Sequence, residues 1–476
     1  MSAARQHYNV TLAILTLAAT SYALQQTMVV PALPVLEREL DTSTTWTTWV
    51  FTGFLLSAAV LTPILGKLGD QFGKERLLVL SLTCFLLGSV GCACAWNIGS
   101  LIGFRLAAGA GAAVFPLSFG IIRDEFPPEK VKVGIGLLSA VFGIGGGLGL
   151  VFSGLITDHA SWRWLFVAGA VPVAFAIVLV HRFVPESPIR SDSRVDVPGA
   201  ALLAGTLVAF LVALSEGASW GWTSAATLML FAVAAVLAVA FAFLELHHDA
   251  PLIDMHVFAE RPVLLTNVTA VIAGVATFGV FILVPRFLET PTGLSPDVAA
   301  EVDYGLGASA TRAGLYLVPM SLMMLVSGPA SGLLGRRFGS KWPLSGGMAV
   351  TAVACGMLAT WHDRPWQIVI AMIVLGMGVG LAYAAMPALI AEAVVPTQTG
   401  VATGINTVMR TIGGVIGGQV AASILTSTTI AGTTVPTEHA YSVVFALAAV
   451  FGLAGAVVAA FMARHRGEAT VSVQAA

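Results

Sequence analysis

The chain has 476 residues, of which 57% are hydrophobic and 10% charged, and its mean hydropathy is +0.89. So few polar side chains cannot cover a water-facing surface, so the composition excludes a soluble globular protein and predicts an integral membrane protein. A net charge of -2 leaves no basic footprint for nucleic acid, and Cys84, Cys92, Cys94 and Cys355 all lie in apolar segments without metal-ligand spacing, reading as small buried hydrophobes.

Charged residues divide the chain into fourteen apolar segments of about 20 residues, the length that crosses a bilayer core. They fall near 10–33, 47–66, 77–96, 98–121, 133–156, 164–182, 198–215, 224–246, 262–286, 312–334, 343–361, 366–389, 400–426 and 441–463. The first run has no short core with a small-residue cleavage site and is expected to remain as a spanning helix. With the N-terminus inside, 16 of the 23 Lys and Arg residues fall on the cytoplasmic side, five fall outside, and Arg105 and Arg410 lie within segments. That bias predicts an even number of spans with both termini in the cytoplasm.

Gly66 opens the stretch GKLGDQFGKERLLV, and 266 residues later GLLGRRFGSKWPLS, from Gly332, repeats Gly66, Leu68, Gly69, Phe72, Gly73 and Leu78 at equivalent places. A repeat following the second and the tenth segment predicts two six-helix halves, 1–182 and 262–463. Between them lie a linker and two inserted helices, 183–261, and a tail, 464–476, follows. The longest external connection, Phe287 to Thr311, carries Glu289, Asp297, Glu301 and Asp303 and reads either as a solvated loop or as an acidic vestibule.

In the first repeat Gly66 and Gly69 admit a close helix, and Gly73 suits a sharp turn. Asp70 is expected near the N-terminal end of the third helix, where the dipole favours an anion, with Lys74 and Arg76 as ionic neighbours. Such a cluster can latch two helix ends in one conformation and release them in another. An arginine at bilayer depth costs about 2.5–3.5 kcal/mol on insertion scales, so Arg105 and Arg410 need a partner or an aqueous cavity. Arg105 is expected level with Gln25 and Gln26, as a structural hub or as a cavity residue. Arg410 shares a helix face with Asn406 and Thr403, for packing or for lining a cavity. Asp70, Asp124, Asp158, Glu216, Glu245 and Glu392 all fall near helix ends, leaving no deep carboxylate. Tyr22, Phe115, Phe278 and Tyr383 are candidates for an apolar cavity wall. Trp46, Trp49, Trp96, Trp162, Trp164, Trp220, Trp222, Trp361 and Trp366 are placed as interfacial anchors. The glycine runs 143–147 and 376–380 suit close helix packing, since no basic phosphate-binding residue follows them.

The pattern G-x-L-x-D-x-x-G-[RK], met by Gly66 to Lys74, resembles the loop after helix 2 of the major facilitator superfamily. Leu101 to Ala113 resembles its helix 4 pattern. Ser161 to Phe166, Val195 to Ala200, Ser215 to Trp222 and Ala250 to Phe258 resemble marks of its fourteen-helix drug:proton antiporters. Departures are Gln25 where helix 1 usually carries an acid, Leu150 and Ser153 in the helix 5 antiporter pattern, and Arg336 in place of the second turn's Asp.

The resemblance implies an all-α major facilitator fold in the plasma membrane and a secondary active exporter, not an enzyme, without metal or cofactor. It implies export of small amphiphilic compounds by proton antiport. A lipid or metabolite exporter, or a facilitator without proton coupling, is the alternative. Gly66, Asp70, Gly73, Lys74, Arg76 and Asp124 are expected to form the switch, with Gln25, Gln26, Arg105, Asn406, Arg410 and Glu216 serving the cavity or coupling. Because the only embedded charges are arginines, neutral or anionic amphiphiles are the expected partners, alongside protons and the bilayer, with the protein a monomer.

Overall fold

Among the described residues fourteen long helices carry the chain, and their boundaries follow the local chemistry of the sequence. In chain order they are α1 (Tyr8–Met28), α2 (Thr44–Phe72), α3 (Lys74–Ala93), α4 (Ile98–Glu125), α5 (Pro128–His159), α6 (Arg163–Phe183) and α7 (Val197–Trp220). They continue as α8 (Ala225–His247), α9 (Arg261–Glu289), α10 (Ala310–Phe338), α11 (Lys341–Thr360), α12 (Pro365–Ala393), α13 (Thr399–Ser427) and α14 (Glu438–Ala460). Pro sits in the first turn of α5, α7, α9 and α12, where its missing N–H costs nothing. Asn97, Asp196, Ser224, Ser309 and Thr437 cap the helices that follow them through their side chains.

The computed structural model describes residues 8–42, 44–187, 196–248, 251–253, 255–290, 302, 304–430, 433 and 435–462. Among them thirteen helices are long and apolar enough to cross a bilayer. The remaining predicted segment, 133–156, falls on α5, a helix of 32 residues. The Arg190, Arg194, Arg464 and Arg466 of the charge count, the acids Asp297, Glu301 and Asp303, the tail 464–476, and most of the 143–147 side chains lie outside the described residues. So does the side chain of Asp158.

The repeated motif is mostly helix, whereas a turn was expected. Residues Gly66 to Phe72 form the last two turns of α2, and Gly73 alone breaks the chain before α3 begins at Lys74. Its φ of +115° is a conformation that side chains disfavour, and Gly339, its repeat partner between α10 and α11, has φ +90°. The two hairpins thus share a mechanism as well as a sequence.

Two seams join the halves. Along one, α5 packs on α10, and along the other α2 packs on α13. The inserted α7 and α8 pack on each other, and α7 lies against both α2 and α13, covering the second seam. Apolar cores fill each half, one around Tyr22, Phe54, Phe85 and Phe115 and the other around Phe287, Tyr304, Tyr441 and Phe445. Trp162 is a core residue, 1% exposed and packed with Met28, Val29 and Phe166, which corrects its reading as an interfacial anchor. Cys94 is exposed, contrary to the buried reading, because it lies just past the end of α3.

Candidate functional site: a central cavity and a closed latch

Between the halves lies a cavity of about 570 Å³, in the size range of small-molecule sites. It runs from Thr62 of α2, at mid-depth, toward Val30 at the end of α1 and Glu289 at the end of α9, away from the Gly73 and Gly339 turns. Tyr22, Phe115, Phe278 and Tyr383 all line it, so the four candidate aromatics converge on one wall system. Periodicity alone could not assign Tyr22, Phe278 and Tyr383, because α1, α9 and α12 show no marked apolar stripe. Tyr22 is held by rings on three sides, 5.3 Å from Phe85, 5.6 Å from Phe54 and 5.9 Å from Phe115 between centroids.

The charges of this lining, among the described residues, are Arg410 at depth and Arg286 and Glu289 at the rim. Arg410 is 6% exposed, with its guanidinium carbon 4.5 Å from the Tyr383 ring centroid, a cation–π geometry that offsets part of its desolvation. Gln26 also faces the cavity.

Other candidates lie elsewhere. Arg105 does not meet Gln25. Its Nε donates to the Val50 carbonyl at 3.0 Å, its guanidinium carbon lies 3.9 Å from the Phe54 ring centroid, and its Nη atoms have no hydrogen-bond partner among the described residues. Gln25 turns instead toward α3 and α6, accepting from Ser89 Oγ at 2.7 Å and donating to the Phe166 carbonyl at 3.2 Å. Depth along a helix placed these two side chains level, but helix rotation points them at different neighbours. Asn406 faces α9, donating to Asn267 Oδ1 at 3.0 Å, rather than the cavity. Glu216 is buried near the end of α7, accepts from Ser219 Oγ at 2.9 Å, and lies outside the cavity wall.

Below the cavity the α2–α13 seam is shut. The side chains of Asp70, Lys74 and Asp124 are each fully buried. Lys74 Nζ lies 3.3 Å from Asp70 Oδ1 and 2.8 Å from Asp124 Oδ2. Asp70 belongs to the last turn of α2, not the start of α3. The dipole it meets is that of α13 in the other half, whose first amides, at Gly400 and Val401, donate to its carboxylate at 3.4 and 3.2 Å. Arg123 complements this from α4, donating to the Val394 and Val395 carbonyls just past α12 and to Thr399 Oγ. One acid therefore caps a helix start and one arginine a helix end across the same seam. Arg76 is not part of the cluster; it is exposed and pairs with Glu186 at 3.7 Å.

Gly66 permits the closure, because a Cβ there would lie 2.6 Å from the Gly400 carbonyl oxygen. Its repeat partner Gly332 plays the same part at the other seam, against the backbone of Lys132 on α5. There Lys132 Nζ pairs with Glu392 at 2.7 Å and donates to the Gly335 carbonyl at 3.3 Å. Lys132, Arg123 and Glu392 carried no sequence signal beyond their places near helix ends. The exposed Arg336 takes no part in this pairing, though it stands where the first motif has Asp70.

Residues 15–302 and 292–475 fit the pattern of the Major Facilitator Superfamily. The chain belongs to this superfamily. It is therefore a multi-pass membrane protein of a transporter family and not of an enzyme family.

Relatives include the tetracenomycin C resistance and export protein of Streptomyces glaucescens, 28% identical over 76% of this chain and 65% of that protein. Multidrug resistance protein 3 of Bacillus subtilis is 31% identical over 74% of this chain and 67% of its own length. Multidrug resistance protein Stp of Mycobacterium tuberculosis is 29% identical over 78% and 67%. The chain thus spans about two thirds of the length of these drug-resistance relatives. The crystal structure of the human organic anion transporter MFSD10 (TETRAN) aligns with a TM-score of 0.68 at 14% identity, over 95% of this chain and 100% of that one, a likeness of fold.

Proposed function

We propose that the protein is a secondary active exporter of small amphiphilic compounds, working by alternating access as a monomer with fourteen spans and both termini in the cytoplasm. In that topology the shut latch is cytoplasmic and the cavity faces outward. The observation that carries the reading is the pairing of one large aromatic cavity with a closed seam at its opposite end. The export and resistance functions in the names of its relatives support the direction. Proton antiport supplies the energy, with Asp70 at the latch as the first group whose charge governs the switch, followed by Glu216 or Asp124, and Arg105 modulating. Arg410, buried in the wall, favours neutral and anionic amphiphiles, because a dication placed beside it would meet repulsion in a low-dielectric site.

The second reading, a lipid or metabolite exporter or a facilitator without proton coupling, draws support from Gln25. It stands where related antiporters carry an acid and is occupied by Ser89 and Phe166. The test is accumulation of a cationic, a neutral and an anionic fluorescent compound in an efflux-deficient bacterium, with and without a protonophore. Lower accumulation of the neutral or anionic compound, restored by the protonophore, is the expected result. Strong efflux of a dication alone would overturn the substrate class, and efflux indifferent to the protonophore would favour the uncoupled reading.

A further inference from the structure

The inserted helices hold a pair of acids that the cavity and latch do not use. Asp196, the N-cap of α7, is 1% exposed, and Glu245, in the last turn of α8, is 3% exposed. Each spends one oxygen on a backbone amide. Asp196 Oδ1 accepts from the Gly199 N–H at 2.8 Å, and Glu245 Oε2 accepts from the Ile253 N–H at 3.0 Å. The remaining oxygens, Asp196 Oδ2 and Glu245 Oε1, are both buried without a hydrogen-bond partner among the described residues. They also face one another, since a Cβ built on Gly199 would run into both at once. Two carboxylate oxygens cannot share a dry site as ions, because neither has a hydrogen to donate and their charges repel. A single proton between them resolves both problems, as it does wherever two carboxyl groups share a site.

We propose that Asp196 and Glu245 form a proton-binding pair that holds one proton while the latch is shut, and that its loss loosens the latch. The link is short. Glu245 holds the Ile253 amide, and the side chains of Leu252 and Ile253 pack with Val401 and Ile405 of α13, directly at the amides that Asp70 caps. On the other side Lys67 of α2 donates to the Pro251 carbonyl at 3.0 Å. Residues 251–253 therefore bridge α2 and α13 over the closed seam.

Among the described residues, Lys67 is a cation whose field reaches Glu245. His247 and His248, at the end of α8, and His256 beyond it are exposed, and the contact residues that α13 offers, Val401 and Ile405, are apolar. When the proton leaves, it passes to water. The second negative charge repels the first and draws Lys67 from the Pro251 carbonyl, so the bridge slackens. Because the shut form binds the extra proton, it is favoured at low pH and lost as pH rises. The pair is separate from the cavity, and its titration needs no transported substrate.

Infrared difference spectroscopy on the full-length protein in lipid, titrated from about pH 5 to about pH 8, reads the proton directly. A protonated-carboxyl band should disappear over this range in the wild type and be smaller by one carboxyl in Glu245→Gln, which keeps the Asp70 contribution. Spin labels at Phe72→Cys and Val395→Cys, both exposed positions, read the seam in a Cys94→Ser background. Their separation should lengthen with pH in the wild type and stay short in Glu245→Gln, whose amide supplies the missing donor. If that variant does not fold, Asp196→Asn serves, because its amide donates to Glu245 in the same way. A wild type with no such band, a band of equal size in the wild type and the variant, or label distances with the same pH response in both proteins would overturn the proposal. Because neither readout involves export, a failure of the transport reading would leave it standing, and the reverse.

Discussion

Asp70 accepts hydrogen bonds from the backbone amides of Gly400 and Val401, so a carboxylate in the first half caps a helix of the second. Electrostatics thereby ties the relative position of the halves to the charge state of one buried side chain. Charge-assisted hydrogen bonds of this kind contribute about 1.5–3 kcal/mol, enough to bias a two-state equilibrium by ten-fold or more.

Asp70→Asn keeps the shape and removes the charge. Lys74 retains Asp124, so the protein is expected to fold, with its melting temperature lowered by a few degrees. Transport should fall by roughly ten-fold or more, in line with losing about 1.5–3 kcal/mol at the seam. Initial efflux rates in cells matched for expression check this.

Gly66→Ala tests the close approach. Its methyl group meets the Gly400 backbone, which cannot move aside as a flexible side chain would. The shut seam is expected to open, measurable as faster thiol labelling at cysteines placed on α13. Gly103→Ala is the control, since a Cβ there meets nothing within 4 Å, and it should leave labelling and transport unchanged.

Arg410→Ala removes the positive charge of the cavity wall at depth. Export of an anionic compound should weaken about ten-fold in apparent affinity, with a neutral compound changed much less, as expected for loss of one desolvated charge contact of a few kcal/mol. Equal losses for both compounds would show that Arg410 supports the wall rather than selecting charge.

Gln25→Leu separates structure from coupling. The Phe166 carbonyl loses a buried donor, while Ser89 Oγ keeps its bond to the Phe85 carbonyl, a cost of about 1–3 kcal/mol in all. The melting temperature should fall while the protonophore response of any remaining transport stays as in the wild type. A lost protonophore response would assign Gln25 to coupling.

Much of the fold was legible because membrane burial writes itself into composition. Segment lengths and the repeat of Gly66 at Gly332 foretold the helices and the matched hairpins. The candidate site was legible in its residue types and less so in its geometry. Asp70, Lys74 and Asp124 come together, yet the first amide that Asp70 meets lies 330 residues later at Gly400, with nothing in the local sequence to announce it. Arg105 and Gln25 were matched by depth and separated by rotation, a variable that an apolar helix without an amphipathic stripe does not encode. Glu245 reads as an ordinary helix-end acid and Asp196 lies unremarked in the Val195 to Ala200 stretch, because their meeting depends on how α7 and α8 pair.

The most direct test is labelling of Thr407→Cys, a cavity-lining position, by a membrane-impermeant thiol reagent in a Cys94→Ser background, in vesicles of both orientations. One cavity with a shut Asp70 latch predicts labelling from the outer face in the otherwise wild-type protein, with labelling from the inner face appearing once Asp70→Asn is added. Labelling from the inner face alone before that change, or a pattern that Asp70→Asn leaves untouched, would contradict it.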